Sequence, residues 1–433
     1  MSNIYQTRTA EASPAPCVPD EVMISLGEIA ESAKEGLLAL AVGAGLQVMY
    51  AMMDADVTTL AGPRGRHQPD RAAVRHGGQD GSVTLGGRRV AVRRPRVRAA
   101  DGSGEVRLPS YELFAGTEVL GRMAMERMLA GLSTRRYGHG LEPVGEQVAV
   151  EAASTSRSTV SRRFVAATET ALADLMNADL STLDLVVLMV DGVHFAEHTC
   201  VVALGIGVDG TKHPLALVEG STENATLVTD LLVGLRERGL DVTRPILAVL
   251  DGSKALSRAV RDVFDKPIIQ RCQQHKIRNV RDRLPDKLRA LVERRMREAY
   301  HADSALTAEA KLITLAAELD KTHPGAAASL REGMTETLTI LRLQVPPTLA
   351  RTLRSTNPIE SMISICRDRS TNVKRWRDGQ MALRWCAAGM TAAAGQFRRV
   401  NGHLHLPKLR DALERQVRET VTSVSHNQTS NAA

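Results

Sequence analysis

Two acids follow strongly apolar runs in nearly the same setting: Asp191 closes "VVLMV", Asp251 closes "ILAVL", and each precedes a glycine. A run of four or five aliphatic residues reads as a strand buried on both faces. An acid at its end is then either the first residue of a turn or a ligand at the edge where open sheets bind their substrates. Repetition favours the second reading. If the two strands are neighbours, two carboxylates meet at one edge, and like charges that close favour a bound cation over mutual repulsion. Hard oxygen donors suit Mg2+ or Mn2+. A third ligand is available in "STNPIESMISICRDRS". Asn357 is expected to cap a helix whose first helical position is Pro358, so Glu360 falls in the first turn, as the acid of a capping box or as a metal ligand. Glu360, Ser364 and Arg367 share one face of that helix, opposite the apolar Ile359, Met362, Ile363 and Cys366.

Other chemical signals are weaker. Cys272 and His275 in "RCQQHKIRNV" are half a zinc site or a thiol–imidazole couple; only the distant "HLH" at 403–405 offers further ligands, so packing or hydrogen bonding is the favoured role. "GIGVDG" at 205–210 matches a dinucleotide-binding glycine pattern, but "TKHPLALVEG" follows it and alternates like a strand where that motif requires a helix. No phosphate-binding loop of the Gly-x-x-x-x-Gly-Lys type occurs.

The elements that must position these residues follow from periodicity. Residues 183–195, 199–210 and 212–220 read as three strands of an antiparallel meander, the last two joined at Asp209-Gly210. An amphipathic helix at 224–240, a buried strand at 245–253, a helix from Lys254 to Phe264 and a short strand at 267–272 complete the order βββαβαβ. From His275 to about Leu343 the pattern is helical and charged, and Pro346 and Pro347 precede the Glu360 helix.

With 433 residues, 43% of them apolar, the chain can bury more than one core. No run of 18 apolar residues and no signal-peptide pattern is present, so no membrane span is expected and the cytoplasm is the default compartment. Five scattered cysteines argue for reduced thiols. The net charge of +7 is concentrated: from Arg64 to Arg107 eleven arginines face four acids in a segment whose Gly-Gly turn predicts a β-hairpin, and from Arg351 to Arg399 ten Lys and Arg face three acids. Two such blocks favour a nucleic acid as partner. In "ASTSRSTVSRRF", Thr155 or Ser156 can cap a recognition helix presenting Arg157, Arg162 and Arg163, the pattern of a helix-turn-helix. Lys374, Arg375 and Arg377 suit the phosphate backbone. Trp376 can stack on an unpaired base or pack inward, and for Trp385, with its apolar neighbours, core packing is favoured.

In combination, "LDGSKAL", "QRCQQHKIRNV", "STNPIESM" and "NVKRWRDGQMALRW" resemble the Mutator-type DDE transposases of bacterial insertion sequences, over about residues 80–410. The resemblance implies a multidomain α/β protein with a ribonuclease-H-like mixed-sheet catalytic core and an all-α insertion, preceded by the basic hairpin and the helix-turn-helix-like region. It implies Asp191, Asp251 and Glu360 as the catalytic, metal-binding triad, Cys272 and His275 as the family's Cys-x-x-His element, and a dimer or higher oligomer acting on double-stranded DNA, the terminal inverted repeats and the target. The expected domains are an N-terminal arm and helix at 1–60, the hairpin at 61–110, a helical DNA-binding domain at 111–180, the core at 181–275 and 346–400, the insertion at 276–345 and a tail at 401–433. A non-catalytic DNA-binding regulator and a nuclease of the same fold stay open as alternatives.

Overall fold

The computed structural model describes residues 37–66, 71–141, 144, 148, 150–220 and 224–430, and the chain divides into two compact units, 1–167 and 168–433. In the first unit, helix α1 (Leu37–Ala61) buries Val42, Met49, Met52, Met53, Val57 and Ala61, one stripe at helical spacing. Gly62, at φ +78, ends it by donating its amide to the Thr58 carbonyl. The helical expectation is met from residue 37; residues 24–36 and Cys17 lie outside the described residues.

The basic segment forms the expected hairpin. Strands β1 (Ala73–Leu85) and β2 (Arg88–Ala99) pair antiparallel across Gly86 and Gly87, whose φ values of +56 and +80 only glycine adopts readily. Met49 and Met53 pack on Val83, Val90 and Val92. A two-residue strand β3 (Glu105–Val106) adds to β2. Not all of the arginines are spare charge: Arg89 donates to the Ala115 and Ser82 carbonyls, while Arg94 and Arg96 pair with Glu105.

Helices α2 (Pro109–Ala115), α3 (Glu118–Leu129) and α4 (Arg157–Asn177) follow. Ser156 accepts the Thr159 amide at 3.4 Å, so the capping expectation holds. The stretch 130–156 separates α3 from α4, in place of the three- or four-residue turn of a helix-turn-helix.

The second unit is built on a five-stranded sheet of β4 (Leu185–Phe195), β5 (His198–Gly207), β6 (Lys212–Glu219), β7 (Ile246–Leu250) and β8 (Pro267–Arg271) in the order β6-β5-β4-β7-β8. The meander β4-β5-β6 is antiparallel, and β4-β7-β8 is parallel. Helix α5 (Ala225–Glu237) leads from β6 to β7 and α6 (Lys254–Val263) from β7 to β8, and the observed order is the expected βββαβαβ.

After β8 come α7 (Gln273–Arg281), α8 (Asp286–Tyr300), α9 (Ala305–Asp320), α10 (Pro324–Arg331), α11 (Met334–Thr337) and α12 (Thr339–Arg342), which enclose a core of their own around Val292, Met296, Leu312, Leu315 and Leu330. Then α13 (Pro347–Leu353), α14 (Asn357–Arg369), α15 (Gly379–Ala394) and α16 (Leu406–Ser430) return to the sheet. Part of the segment from 401 on, expected only as a tail, packs on the sheet. In the fold Leu406, Leu409 and Leu413 are buried in the sheet's core, and Arg410 reaches the Pro245 and Leu185 carbonyls and the Asp184 carboxylate. Among the described residues no helix is long and apolar enough to cross a membrane.

Candidate functional site

Period-two alternation sorts the central strands onto two faces. On β4, Leu188 and Val190 join the core beneath α5 and α6, whereas Val187, Met189, Val193 and Phe195 join the core that includes Ile359, Met362 and Ile363 of α14. On β7, Ala248 and Leu250 take the first face; Leu247 and Val249 take the second. The same parity assigns Asp191 and Asp251 to the face that α14 covers.

Register then brings the two acids together. The β4–β7 ladder pairs Met189 with Val249 and stops; Asp191 and Asp251 each lie two residues further on. Neighbouring strands run about 4.8 Å apart. Asp251 immediately follows its strand, as expected. Asp191 does not terminate β4, which continues to Phe195 paired only with β5, down to Phe195 opposite His198. Past Met189 β4 has no β7 partner, and Asp191 stands at that gap, not at a strand end.

Burial raises the Asp191 carboxyl to about 6 against the amide that Gly192 donates to Oδ1 at 2.7 Å; the Asp251 charge raises it further, His275 lowers it and Glu360 raises it. All four groups therefore share one electrostatic neighbourhood. Asp251 Oδ1 accepts the Ser253 amide at 2.8 Å. Gly252, at φ +108, lets Arg271 pass so close that a Cβ there would stand 2.2 Å from its Nε.

Helix α14 starts one residue earlier than expected. The Glu360 amide bonds to the Thr356 carbonyl at 3.0 Å, so Thr356 is the cap residue, Asn357 is already helical and Pro358 is second. No capping box forms, because the Thr356 hydroxyl caps no backbone amide and donates instead to Glu360 Oε1 at 2.5 Å. The same hydroxyl oxygen lies 3.4 Å from Cys272 Sγ and 3.4 Å from His275 Nδ1, and His275 Nδ1 is 3.9 Å from Glu360 Oε1.

Cys272, His275 and Glu360 offer ligand atoms all within 4.8 Å of one another, a grouping close enough to hold a metal ion. Burial alone would raise the Cys272 thiol, but hydrogen bonding with its neighbours, first His275 and then Thr356, outweighs it and holds it below its ordinary value. His275 is raised, first by its bond to Cys272. Thr356 is the residue that sequence reasoning passed over; its only signal was its place four residues before the glutamate.

The DNA-contact candidates divide. Arg367, Lys374, Arg375 and Arg377 are exposed, as are Arg157 and Arg162. Arg163 is half-buried and donates to the Ser154 carbonyl at 2.6 Å, tying α4 to the turn before it. Trp376 does not stand free: its ring packs 4.8 Å from Phe195 and meets the buried Trp385 edge-on at 6.3 Å, so it pins the 374–377 segment to the far end of β4.

The family model described as "Transposase, Mutator family" matches residues 26–399. Similar proteins include the transposase for insertion sequence element IS6120 of Mycolicibacterium smegmatis, 32% identical over 276 residues covering 61% of this chain and 84% of that protein. The transposase for ISRM5 of Rhizobium meliloti (strain 1021) is 24% identical over 84% of this chain and 90% of its own length. The transposase for IS256 in transposon Tn4001 of Staphylococcus aureus is 26% identical over 68% and 74%.

Proposed function

Given that the chain belongs to the Mutator family of transposases, we propose that it cuts and joins DNA strands at the terminal repeats of its element through divalent cations held by Asp191, Asp251 and Glu360. The observation that carries this reading is the shared face: strand parity and register direct Asp191 and Asp251 toward the helix bearing Glu360. The donor set fits the cations. Three carboxylates, one kept neutral up to about pH 6 by burial and by its neighbours, are an oxygen site that Mg2+ or Mn2+ would satisfy. When bound, such ions lower the pKa of an attacking water or 3′ hydroxyl and balance charge on the phosphate and leaving oxygen.

The chain's own groups supply the rest. Asp191, which feels both other acids, would hold the ions together with Asp251 and Glu360. Arg367, two turns along α14 from Glu360, and Lys374, Arg375 and Arg377 hold the DNA backbone. The sheet order, an antiparallel meander continued by two parallel strands, supports a ribonuclease-H-like core. The exposed Arg157 and Arg162 and the exposed hairpin residues Arg93 and Arg98 are assigned to the terminal repeats, and two element ends call for a dimer or higher oligomer. The test is a labelled duplex carrying the element's own terminal repeat, incubated with the full chain and Mg2+. Metal-dependent cleavage followed by joining is expected; cleavage without joining would indicate a nuclease, and binding alone a regulator.

A further inference from the structure

Glu360 carries the proposed cation ligand on a helix side chain, and something must hold that side chain. We propose that Thr356 is a positioning residue for the strand-transfer reaction: its hydroxyl fixes the Glu360 carboxylate and ties it to Cys272 and His275 at the corner between β8 and α7. The proposal rests on the reading of Glu360 as a metal ligand and deepens it.

Thr356 is wholly enclosed. A hydroxyl has one proton and two lone pairs. Of its three neighbours the nearest is Glu360 Oε1 at 2.5 Å, and a carboxylate there can only accept, so the proton goes to it. Cys272 Sγ and His275 Nδ1, each 3.4 Å from the same oxygen, complete its surroundings. Zinc bonded to thiolate, imidazole and carboxylate would need about 2.0–2.3 Å to each. The hydroxyl that already touches all three competes for that space, so the group is a hydrogen-bonded hub, and Glu360 Oε2 is left for the cation.

The corner is itself tied to the other acids. The Cys272 amide donates at 2.7 Å to the carbonyl of Leu250, the residue before Asp251, and the Gln273 amide donates at 2.9 Å to the carbonyl of Arg354, two residues before Thr356. A continuous path of short contacts thus runs from the Asp251 strand through Cys272 to Thr356 and on to Glu360. Partners of this kind that orient a ligand typically contribute about 10- to 100-fold to metal affinity.

The experiment measures Mn2+ binding to the full chain without DNA, from the free-ion electron paramagnetic resonance signal, with thermal unfolding recorded in parallel. Thr356→Val should weaken binding about tenfold at an unchanged melting temperature, and Thr356→Ser, which keeps the hydroxyl, should stay within about twofold of the wild type. Should Val lower the melting temperature, Thr356→Ala removes the same hydroxyl with less bulk and carries the same expectation. A folded variant lacking the hydroxyl that binds Mn2+ like the wild type, while Glu360→Gln binds weakly, overturns the role of Thr356 alone. Wild-type affinity in Glu360→Gln removes Glu360 from the cation site and both readings fall. One zinc per purified chain, lost in Cys272→Ser, would also overturn the hub.

Discussion

Asp191 and Asp251 owe their positions to backbone: each sits two residues beyond a paired strand position, and ladder hydrogen bonds fix the spacing before any side chain is consulted. Glu360 reaches the same neighbourhood from a helix that starts at an enclosed threonine, whose hydroxyl holds its carboxylate, while His275, remote in sequence, lies 3.9 Å away. A ligand on a sheet inherits its precision from the sheet. A ligand on a helix needs a second set of contacts, and substitutions in that set should weaken the site without unfolding the protein.

The largest expected effect treats the two kinds of ligand alike. Asp191→Asn, Asp251→Asn or Glu360→Gln should each lower strand cleavage at least about a hundredfold while terminal-repeat binding, measured by gel shift, stays within about threefold. Retained cleavage in any one variant would separate that acid from the other two.

The next effect belongs to the strand side. With its carboxyl raised to about 6, Asp191 is protonated below that pH in the cation-free chain, and an incoming ion must displace the proton. Mn2+ affinity should therefore be flat above about pH 7 and fall by about tenfold per unit below pH 6. Linkage has the matching sign: a carboxyl raised from 3.8 in the unfolded chain costs stability once charged, so the cation-free protein should lose stability as pH rises through about 6, and Mn2+ should restore it. A stability curve rising through that window would contradict the burial of Asp191.

A smaller effect strikes backbone instead of side chain. Gly252→Ala forces a residue with a Cβ into φ +108 and against Arg271, which should cost about 1–3 kcal/mol of unfolding free energy, read from denaturant titration. Because Gly252 follows Asp251, cleavage should fall as well, and Thr356→Ser should not share that loss. Smallest of all, Arg375→Ala or Arg377→Ala should weaken DNA binding only severalfold and reduce the salt slope by about one each, since both are exposed cations on the segment proposed to meet the DNA backbone.

The strands and both aspartates were legible because aliphatic runs and period-two alternation are local properties, readable in "LVVLMVDGVHF" as they stand. That β4 outruns its parallel neighbour was not, because where a ladder stops depends on the partner strand. Glu360 was legible as a first-turn acid, but its true bonding partner was hidden: a threonine before Asn-Pro looks like turn chemistry, and only tertiary structure brings it to Cys272 and His275. Charge misled in part. Arg89 and Arg163 count as basic in a composition and are spent on carbonyl groups in the fold. The last residues were unreadable because α16 is amphipathic with no chemical motif, and its apolar stripe means nothing until the sheet it covers is known.

The hydrogen bond from the Gln273 amide to the Arg354 carbonyl makes the chain depart for its helical excursion and come back at adjacent points. The part with its own core, around Val292, Met296, Leu312, Leu315 and Leu330, lies between these two points, while Ile340, Leu343, Leu349 and Leu353 on the way back are buried with the sheet. The free-energy cost of closing such an excursion rises only logarithmically with its length, about 0.6 kcal/mol per doubling. Lengthening this lobe in the present chain would therefore add little to the cost of closing it.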